Sequence, residues 1–150
     1  MTDIKKDRLS LLEKTFKIQS TLDNRAAVDG ASAIILAVKP QTTEQALASV
    51  RGAISSSSIV VSIIAGWTMA NLARHSGSSN IIRCMPNTPA LIRQSMTVWA
   101  ALPSVTPEHR KEAQAILASF GEEVFVDHEE YLDMATAISG TGPAYYLVCT

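Results

Sequence analysis

The chain has 150 residues, of which 47% are hydrophobic and 18% are charged, and its formal net charge is -1. This length suits one domain with a hydrophobic core, and the near-neutral charge gives none of the basic surface typical of nucleic-acid or membrane-surface binding. The longest apolar runs, 31–38 and 59–65, are far shorter than the roughly 20 residues that cross a bilayer.

The first ten residues and the two cysteines indicate the compartment of the protein and whether it binds a metal. Residues 1–10 have no apolar core typical of a secretory signal. Cys84 and Cys149 follow no metal-ligand spacing and lie in apolar surroundings, which is typical of core residues in a reducing compartment. We therefore expect a cytoplasmic protein without a metal site.

The N-terminal third predicts a helix, a buried strand and a second helix. Residues 7–17 carry apolar side chains at helical spacing: Leu9, Leu12 and Phe16. Only residues 1–4 before this helix have the character of a strand. Residues 33–38 are continuously apolar, which predicts a strand buried on both faces, as in a parallel sheet. A helix should then begin at Thr42, because Thr42 and Gln45 have capping-box spacing.

The middle of the chain continues the alternation. Three apolar runs predict further strands: 59–64, 80–85 and 95–101. A short helix should begin near Thr68. A longer helix should begin where Thr106 can cap it and Pro107 fits the first turn, and Gly121 should end it. Residues 124–126 predict a last short strand. Strands that alternate with helices predict an α/β fold with a mostly parallel sheet.

Polar kinks follow two of these strands. Pro86-Asn87-Thr88-Pro89 follows the third strand, and Lys39-Pro40 follows the first. Ligands of open parallel sheets bind at the carboxyl ends of strands. We therefore expect both kinks to lie at a ligand site.

The composition changes after Val126. Apolar residues at helical spacing predict a helix there: Tyr131, Met134, Ala135 and Ile138. This helix leads into Ser139-Gly140-Thr141-Gly142, and Pro143 then suits the first turn of another helix. Small and hydroxyl residues before a helix start predict an anion site.

Four motifs in this order and spacing resemble the family of pyrroline-5-carboxylate reductase, the last enzyme of proline biosynthesis. They are Ala37-Val38-Lys39-Pro40-Gln41, Ser62-Ile63-Ile64-Ala65-Gly66 with Thr68, Arg83-Cys84-Met85-Pro86-Asn87-Thr88-Pro89-Ala90, and Ser139-Gly140-Thr141-Gly142-Pro143-Ala144-Tyr145. The resemblance runs from about Asp3 to the last residue. It implies an incomplete Rossmann-like dinucleotide-binding domain over residues 1–127, followed over 128–150 by the beginning of an all-α dimerisation and substrate domain.

The chain departs from the family's pattern in three places. It has no G-x-G-x-x-G turn for a cofactor pyrophosphate, and it contains only the beginning of the helical domain. Relatives often place glycine where this chain has Ile92-Arg93-Gln94-Ser95. We therefore expect the chain alone to be a poor catalyst, with an exposed sheet edge that favours self-association and with apolar surface on residues 129–150.

The resemblance implies reduction of 1-pyrroline-5-carboxylate to L-proline by hydride transfer from NADPH or NADH, in a homo-oligomer. The implied cofactor-binding residues are Asp3, Ala37, Val38, Lys39, Pro40, Met85, Pro86 and Asn87. The residues implied beside the reacting atoms are Asn87, Thr88 and Thr141. The residues implied to bind the substrate carboxylate are Ser139, Gly140, Thr141 and Gly142.

Several residues keep a second interpretation. Asp3 suits a ribose hydroxyl of NADH, whereas Lys5 and Lys6 suit the 2′-phosphate of NADPH, which the family commonly uses. Asp3 could equally be an ordinary acid at a helix start. The motif at 86–89 could be a plain turn, and the motif at 139–142 could be a simple joint between helices.

Two other functions remain open. The chain could be a non-catalytic remnant that acts only as a structural or interaction module, because it lacks the pyrophosphate turn. It could also be a related dehydrogenase acting on prephenate or a β-hydroxy acid. That chemistry needs a catalytic lysine or histidine at the domain junction, and none stands near residues 139–143.

Overall fold

A computed structural model of the chain describes residues 1–142, so the predicted helix at Pro143 and the environment of Cys149 lie outside the described residues. The helices are α1 (Lys6–Phe16), α2 (Asn24–Val28), α3 (Thr43–Val50), α4 (Met69–Ser76), α5 (Pro107–Ala118) and α6 (Glu130–Ala135). The strands are β1 (Ala33–Leu36), β2 (Ile59–Ser62), β3 (Ile81–Met85), β4 (Ser95–Ala101) and β5 (Gly121–Phe125). Within this part of the chain, every helix is too short or too polar to cross a membrane.

The five strands form one sheet in the order β1-β2-β3-β4-β5. The pairs β1–β2, β2–β3 and β4–β5 are parallel, and β3–β4 is antiparallel. The predicted α/β fold with a mostly parallel sheet is confirmed. The single reversal at β4 starts beside the end of β3 and returns the chain to the side of the sheet at which β3 begins.

Apolar side chains cover both faces of the sheet. One cluster joins the sheet to α3, α4 and α6 through residues such as Leu47, Val60, Leu72, Ile81 and Leu132. The other cluster joins it to α5 through residues such as Ile59, Val61, Ile82, Trp99 and Leu117. Adjacent residues of β2 therefore enter opposite clusters, as the period of two in a strand requires.

Two helices begin as their sequences predict. Thr68 precedes α4 and its side chain accepts a hydrogen bond from the Asn71 N–H. Thr106 precedes α5, accepts from the His109 N–H, and is followed by Pro107 at the first helical position. The pKa of the Glu108 carboxyl is lowered, mainly by its own backbone N–H and then by the Thr106 hydroxyl. Local capping chemistry thus fixes both starts.

The prediction that the first strand is buried on both faces is wrong. Ile34 and Leu36 are buried, but Ile35 between them is 50% exposed. The reason is that β1 is the edge strand of the sheet, where one face has no covering helix among the described residues. The expected exposed edge is present.

Two predicted helix signals act differently. A 3₁₀ turn, Pro40–Thr42, precedes α3, and Thr42 makes no capping bond but donates its hydroxyl to the Lys39 carbonyl. Gly121 does not end α5, which stops at Ala118. It begins β5 instead, at φ 142°. In both cases the residue belongs to a neighbouring element, the 3₁₀ turn for Thr42 and β5 for Gly121.

The N-terminal region differs from its prediction. Residues 1–4 contribute an isolated parallel bridge between Thr2 and Thr21 rather than a strand. On α1, Leu9 is buried and Phe16 is exposed, so the packed stripe is shorter than predicted. The short helix α2 was not predicted. The Asp23 side chain caps it by accepting from the Arg25 N–H.

The predicted C-terminal helix divides into two parts. After α6, the chain continues as a wider π-helical turn, Thr136–Gly140. Leu132 is buried in the core, whereas three apolar neighbours are exposed: Tyr131, Met134 and Ile138. They provide part of the apolar surface expected on residues 129–150.

Candidate functional site

The carboxyl ends of three neighbouring strands lie together at one edge of the sheet. Leu36 of β1 pairs with Ser62 of β2, and Ser62 pairs with Arg83 of β3. Because these strands are parallel, the segments that follow them, 37–40, 63–67 and 86–89, leave the sheet side by side. Ala37, Val38, Lys39 and Pro40 are all exposed there.

The Lys39-Pro40 segment is held by its backbone. The Lys39 carbonyl accepts bonds from the Thr42 N–H at 3.0 Å and from the Thr43 hydroxyl at 3.0 Å. The indole N–H of Trp67, which follows β2, donates to the Pro40 carbonyl at 3.3 Å. Lys39 itself is exposed. This segment therefore combines a hydrogen-bonded main chain with an exposed lysine.

Asn87 is the most connected polar residue of this edge. Its Oδ1 accepts from the Ser95 hydroxyl at 3.0 Å and from the Met96 N–H at 3.1 Å. Its Nδ2 donates to the Ser139 hydroxyl at 2.9 Å. Asn87 thus joins the end of β3 to the start of β4 and to the turn after α6, which is more than the plain-turn interpretation requires.

The turn after α6 lies against the end of β3. Besides the Asn87–Ser139 bond, a Cβ placed on Gly140 would be 4.0 Å from the Met85 Sδ. Both the N–H and the hydroxyl of Thr141 donate to the Thr136 carbonyl, at 2.9 and 2.8 Å. The expected Thr141 donors are therefore engaged within the turn in this conformation. Gly142 lies beside them, and among residues 1–142 no heavy atom lies within 4 Å of a Cβ placed on it.

The chain is similar in sequence to known pyrroline-5-carboxylate reductases. It is 38% identical over 138 residues to pyrroline-5-carboxylate reductase of Synechocystis, a match over 92% of this chain and 51% of that protein. It is 35% identical over 134 residues to the Pseudomonas aeruginosa reductase, a match over 89% of this chain and 49% of that protein. The chain is a homologue of the pyrroline-5-carboxylate reductases. It spans about half the length of the curated relatives it matches.

Solved pyrroline-5-carboxylate reductases share its fold. The Coxiella burnetii enzyme is 28% identical, with a TM-score of 0.91 over 99% of this chain and 56% of that chain. The Plasmodium falciparum enzyme, solved with NADP bound, is also 28% identical, with a TM-score of 0.84 over 98% of this chain and 53% of that chain. Residues 1–66 match the family model described as NADP oxidoreductase coenzyme F420-dependent. The Rossmann-like fold is thereby confirmed.

A prephenate dehydrogenase also shares this fold. The Aquifex aeolicus enzyme is 13% identical to this chain, with a TM-score of 0.75 over 98% of this chain and 57% of that chain. Such low identity shows the fold alone. The open alternative of a related dehydrogenase therefore gains nothing beyond the fold, while the reductase relatives match in sequence as well.

Three further residues implied by the resemblance to the reductases have different surroundings: Pro86, Thr88 and Asp3. Pro86 is half-buried, and Thr88 is exposed at the start of a 3₁₀ turn, Thr88–Ile92. Asp3 accepts from the Lys5 N–H at 2.8 Å and pairs with Arg8 at 3.7 Å. These two contacts suit an ordinary acid at a helix start. Among the described residues, Asp3 makes no hydrogen bond to Asn87.

The loop where reductase relatives often carry glycine has an unusual backbone. Arg93 adopts φ 60° and ψ 35°, the left-handed conformation that glycine adopts readily. For a residue with a side chain this conformation costs about 1–2 kcal/mol. The turn before β4 therefore carries backbone strain at Arg93.

Sequence reasoning missed two residues that support the site. Ser95 is buried and bonds both Asn87 and Thr97, but a serine at the first position of a strand gives no distinctive signal. Arg83 is fully buried and forms ion pairs with Glu129 and Asp133. A single arginine in an otherwise apolar strand was the available signal for it.

Cys84 follows Arg83 and faces the other side of the sheet, where burial raises the pKa of its thiol from 9.0 to about 12. We expect a Cys149→Ser variant to react with a thiol-specific disulfide reagent at pH 8 only after unfolding in urea, because the thiolate is the reactive form. Since the folded-state pKa is the higher one, the thiol's contribution to stability is intact below about pH 9 and is lost as the pH rises toward about 12. Rapid labelling of the folded protein at pH 8 would contradict this prediction.

Proposed function

We propose that this chain belongs to a reductase that converts 1-pyrroline-5-carboxylate to L-proline with NADPH or NADH. The reaction would take place at the carboxyl ends of β1, β2 and β3. The observation that carries the proposal is the contact between two motifs, in which Asn87 donates to Ser139 and Met85 approaches Gly140. A strand-end segment suited to a nicotinamide and a small-residue turn suited to a carboxylate therefore border the same space. The sequence matches to named reductases support the same reaction.

The residues present fit one end of a dinucleotide. Exposed backbone and side chains at 37–40 and the half-buried pair Pro86 and Asn87 would hold the nicotinamide end, with Met85 packed beside the ring. Lys5 and Lys6 are exposed cations suited to a 2′-phosphate, and Asp3 is an acid suited to a ribose hydroxyl. The 150 residues contain no glycine-rich turn for the pyrophosphate. When bound, the nicotinamide supplies the hydride for the reaction.

The chain's own residues would bind and orient the imine. The turn 139–142 would hold the substrate carboxylate through main-chain N–H groups and the Ser139 hydroxyl. The Thr141 hydroxyl would also donate to it after leaving the Thr136 carbonyl. Asn87 and Thr88 would fix the position of the imine ring and exclude water. The carbon of the C=N bond gains the hydride, the C–N bond becomes single, and the nitrogen keeps the proton that the iminium already carries. No general acid is required.

A substrate comparison tests this proposal. We expect the purified protein to oxidise NADPH slowly with 1-pyrroline-5-carboxylate, because the pyrophosphate turn is absent from the 150 residues. Its kcat/KM should fall about 10- to 100-fold further with 1-pyrroline, which lacks the carboxylate, because hydrogen bonds to a charged group are worth about 1.5–3 kcal/mol. Stopped-flow absorbance follows the reaction, and a parallel fluorescence titration measures NADPH binding. Equal rates with the two imines would contradict the carboxylate site.

The same assay addresses the two alternatives. If the purified protein neither binds NADPH nor reduces either imine, the non-catalytic module is the better description. If it oxidises prephenate or a β-hydroxy acid with NAD and leaves both imines unchanged, it is a related dehydrogenase. Measuring all four substrates in one buffer keeps these outcomes separable.

A further inference from the structure

Arg83 is a charged side chain in the middle of the sheet. It lies on β3 between Ser62 of β2 and Ala100 of β4, and it is 1% exposed. Its Nε has no hydrogen-bond partner among the described residues. Removing a guanidinium from water is costly unless carboxylates compensate it, so its partners matter.

Two carboxylates, one just before α6 and one within it, meet this guanidinium. Nη1 contacts the Glu129 Oε1 at 3.0 Å, and Nη2 contacts the Asp133 Oδ1 at 2.8 Å. Glu129 and Asp133 are four residues apart and so lie on the same face at the start of α6. Because the rigid fork of arginine meets two points one turn apart, it fixes both the height and the rotation of α6 on the sheet.

Glu129 also ties a third element to this point. Its Oε1 accepts from the Met69 N–H, the first of α4, at 2.7 Å. The segment between β2 and α4, which carries Trp67, is therefore joined to the same carboxylate. We call Arg83, Glu129 and Asp133 the arginine clamp.

Two stretches of chain connect the arginine clamp to the Asn87–Ser139 contact, and the two have similar lengths. From Arg83 to Asn87, four residues of extended chain span about 13 Å at roughly 3.3 Å per residue. From the middle of the two carboxylates to Ser139, eight helical residues span about 12 Å at roughly 1.5 Å per residue. Arg83, Met85 and Asn87 alternate along the chain, and so can all face α6 and its turn.

We infer that Arg83 is a positioning residue that sets the turn 139–142 against Asn87 and Met85, and through them the proposed carboxylate site. This inference rests on the proposed function for its catalytic consequence, but its structural part does not. Apolar replacement of a buried ion pair is often neutral for stability, so the specific benefit of the clamp is a defined position of α6.

Arg83→Met separates position from stability. Asp133 is 70% exposed and Glu129 25%, so both carboxylates can regain water when the guanidinium is removed. We expect the urea midpoint to fall by no more than about 1 M. We expect amide hydrogen exchange of residues 136–142 to accelerate on the order of tenfold or more, while exchange in β2 stays unchanged.

Two milder variants keep the test decisive if Arg83→Met fails to fold. Glu129→Gln and Asp133→Asn, singly and together, remove charge and leave an oxygen acceptor in place, and the double variant should also accelerate exchange of 136–142. Glu130→Gln is the matched control, because Glu130 is an exposed acid in the same helix outside the clamp. Unchanged exchange in the double variant, or the same change in Glu130→Gln, would overturn the inference.

Kinetics adds a readout that simple destabilisation would not give. We expect Arg83→Met to raise the KM for 1-pyrroline-5-carboxylate about tenfold and to leave the KM for NADPH unchanged, because the turn 139–142 is the part displaced. Equal changes in both KM values would overturn the positioning role. If the unmodified protein has no reductase activity, the proposed function fails, and hydrogen exchange alone still decides whether the clamp positions the turn.

Discussion

Replacing Asn87 with alanine should lower kcat/KM for 1-pyrroline-5-carboxylate about 100-fold, because the side chain that joins the end of β3 to Ser139 is lost. The same change leaves the Met96 N–H and the Ser95 hydroxyl without their acceptor. We expect the free energy of unfolding to fall by about 2–3 kcal/mol, since each hydrogen bond contributes about 1 kcal/mol and unpaired groups add to the loss. Steady-state kinetics and urea denaturation measure the two effects.

Asn80 provides a matched control for Asn87. It stands just before β3, at the opposite end of the same strand, and its buried side chain donates to the carbonyls of Ser56 and Ser58. Asn80→Ala should lower stability by a similar amount and leave kcat/KM nearly unchanged. If both variants lose activity in proportion to their stability, Asn87 has no specific role at the site.

Gly121→Ala should produce the largest loss of stability of any change considered for this chain. A Cβ at this position would lie 2.4 Å from both the N and the O of Ser95, which are backbone atoms of the paired strand and cannot move away. The residue also adopts φ 142°, which disfavours any side chain. We expect the free energy of unfolding to fall by about 4 kcal/mol or more, measured by urea denaturation.

Gly30→Ala separates backbone strain from collision. Gly30 also has a positive φ of 68°, but no heavy atom lies within 4 Å of its would-be Cβ. This variant should lose only about 1–2 kcal/mol, the cost of the left-handed conformation alone. Equal denaturation midpoints for the two alanine variants would show that β4 and β5 can separate at Ser95 and Gly121 without penalty.

The sequence predicted the elements whose signals are local. The strand predicted over 95–101 is observed as Ser95–Ala101, and the helix start at Thr106 and Pro107 is observed with its capping bond. The family resemblance implied that the 86–89 kink and the 139–142 turn serve the same substrate, and the structure brings Asn87 of the first into contact with Ser139 of the second. Which of these residues touch substrate stays a prediction.

The features that the sequence could not predict depend on distant neighbours. The partners of Arg83 are 46 and 50 residues away along the chain, so no local pattern connects them. The conformation of Gly121 follows from the pairing of β5 with β4. The exposure of Ile35 follows from the position of β1 at the edge of the sheet. Each depends on topology, which apolar periodicity does not specify.

The reversal of β4 bears on how the site is assembled. Residues 86–94 join β3 to its antiparallel neighbour, whereas the parallel crossovers use the longer connections 37–58, 63–80 and 102–120. Closing a short connection loses less chain entropy. Asn87 and Ser95 therefore come from the most local pairing of the sheet, while Ser139 joins them from 52 residues beyond Asn87. On unfolding, we expect the turn 139–142 to lose its contacts first and the contact between Asn87 and Ser95 to be lost last.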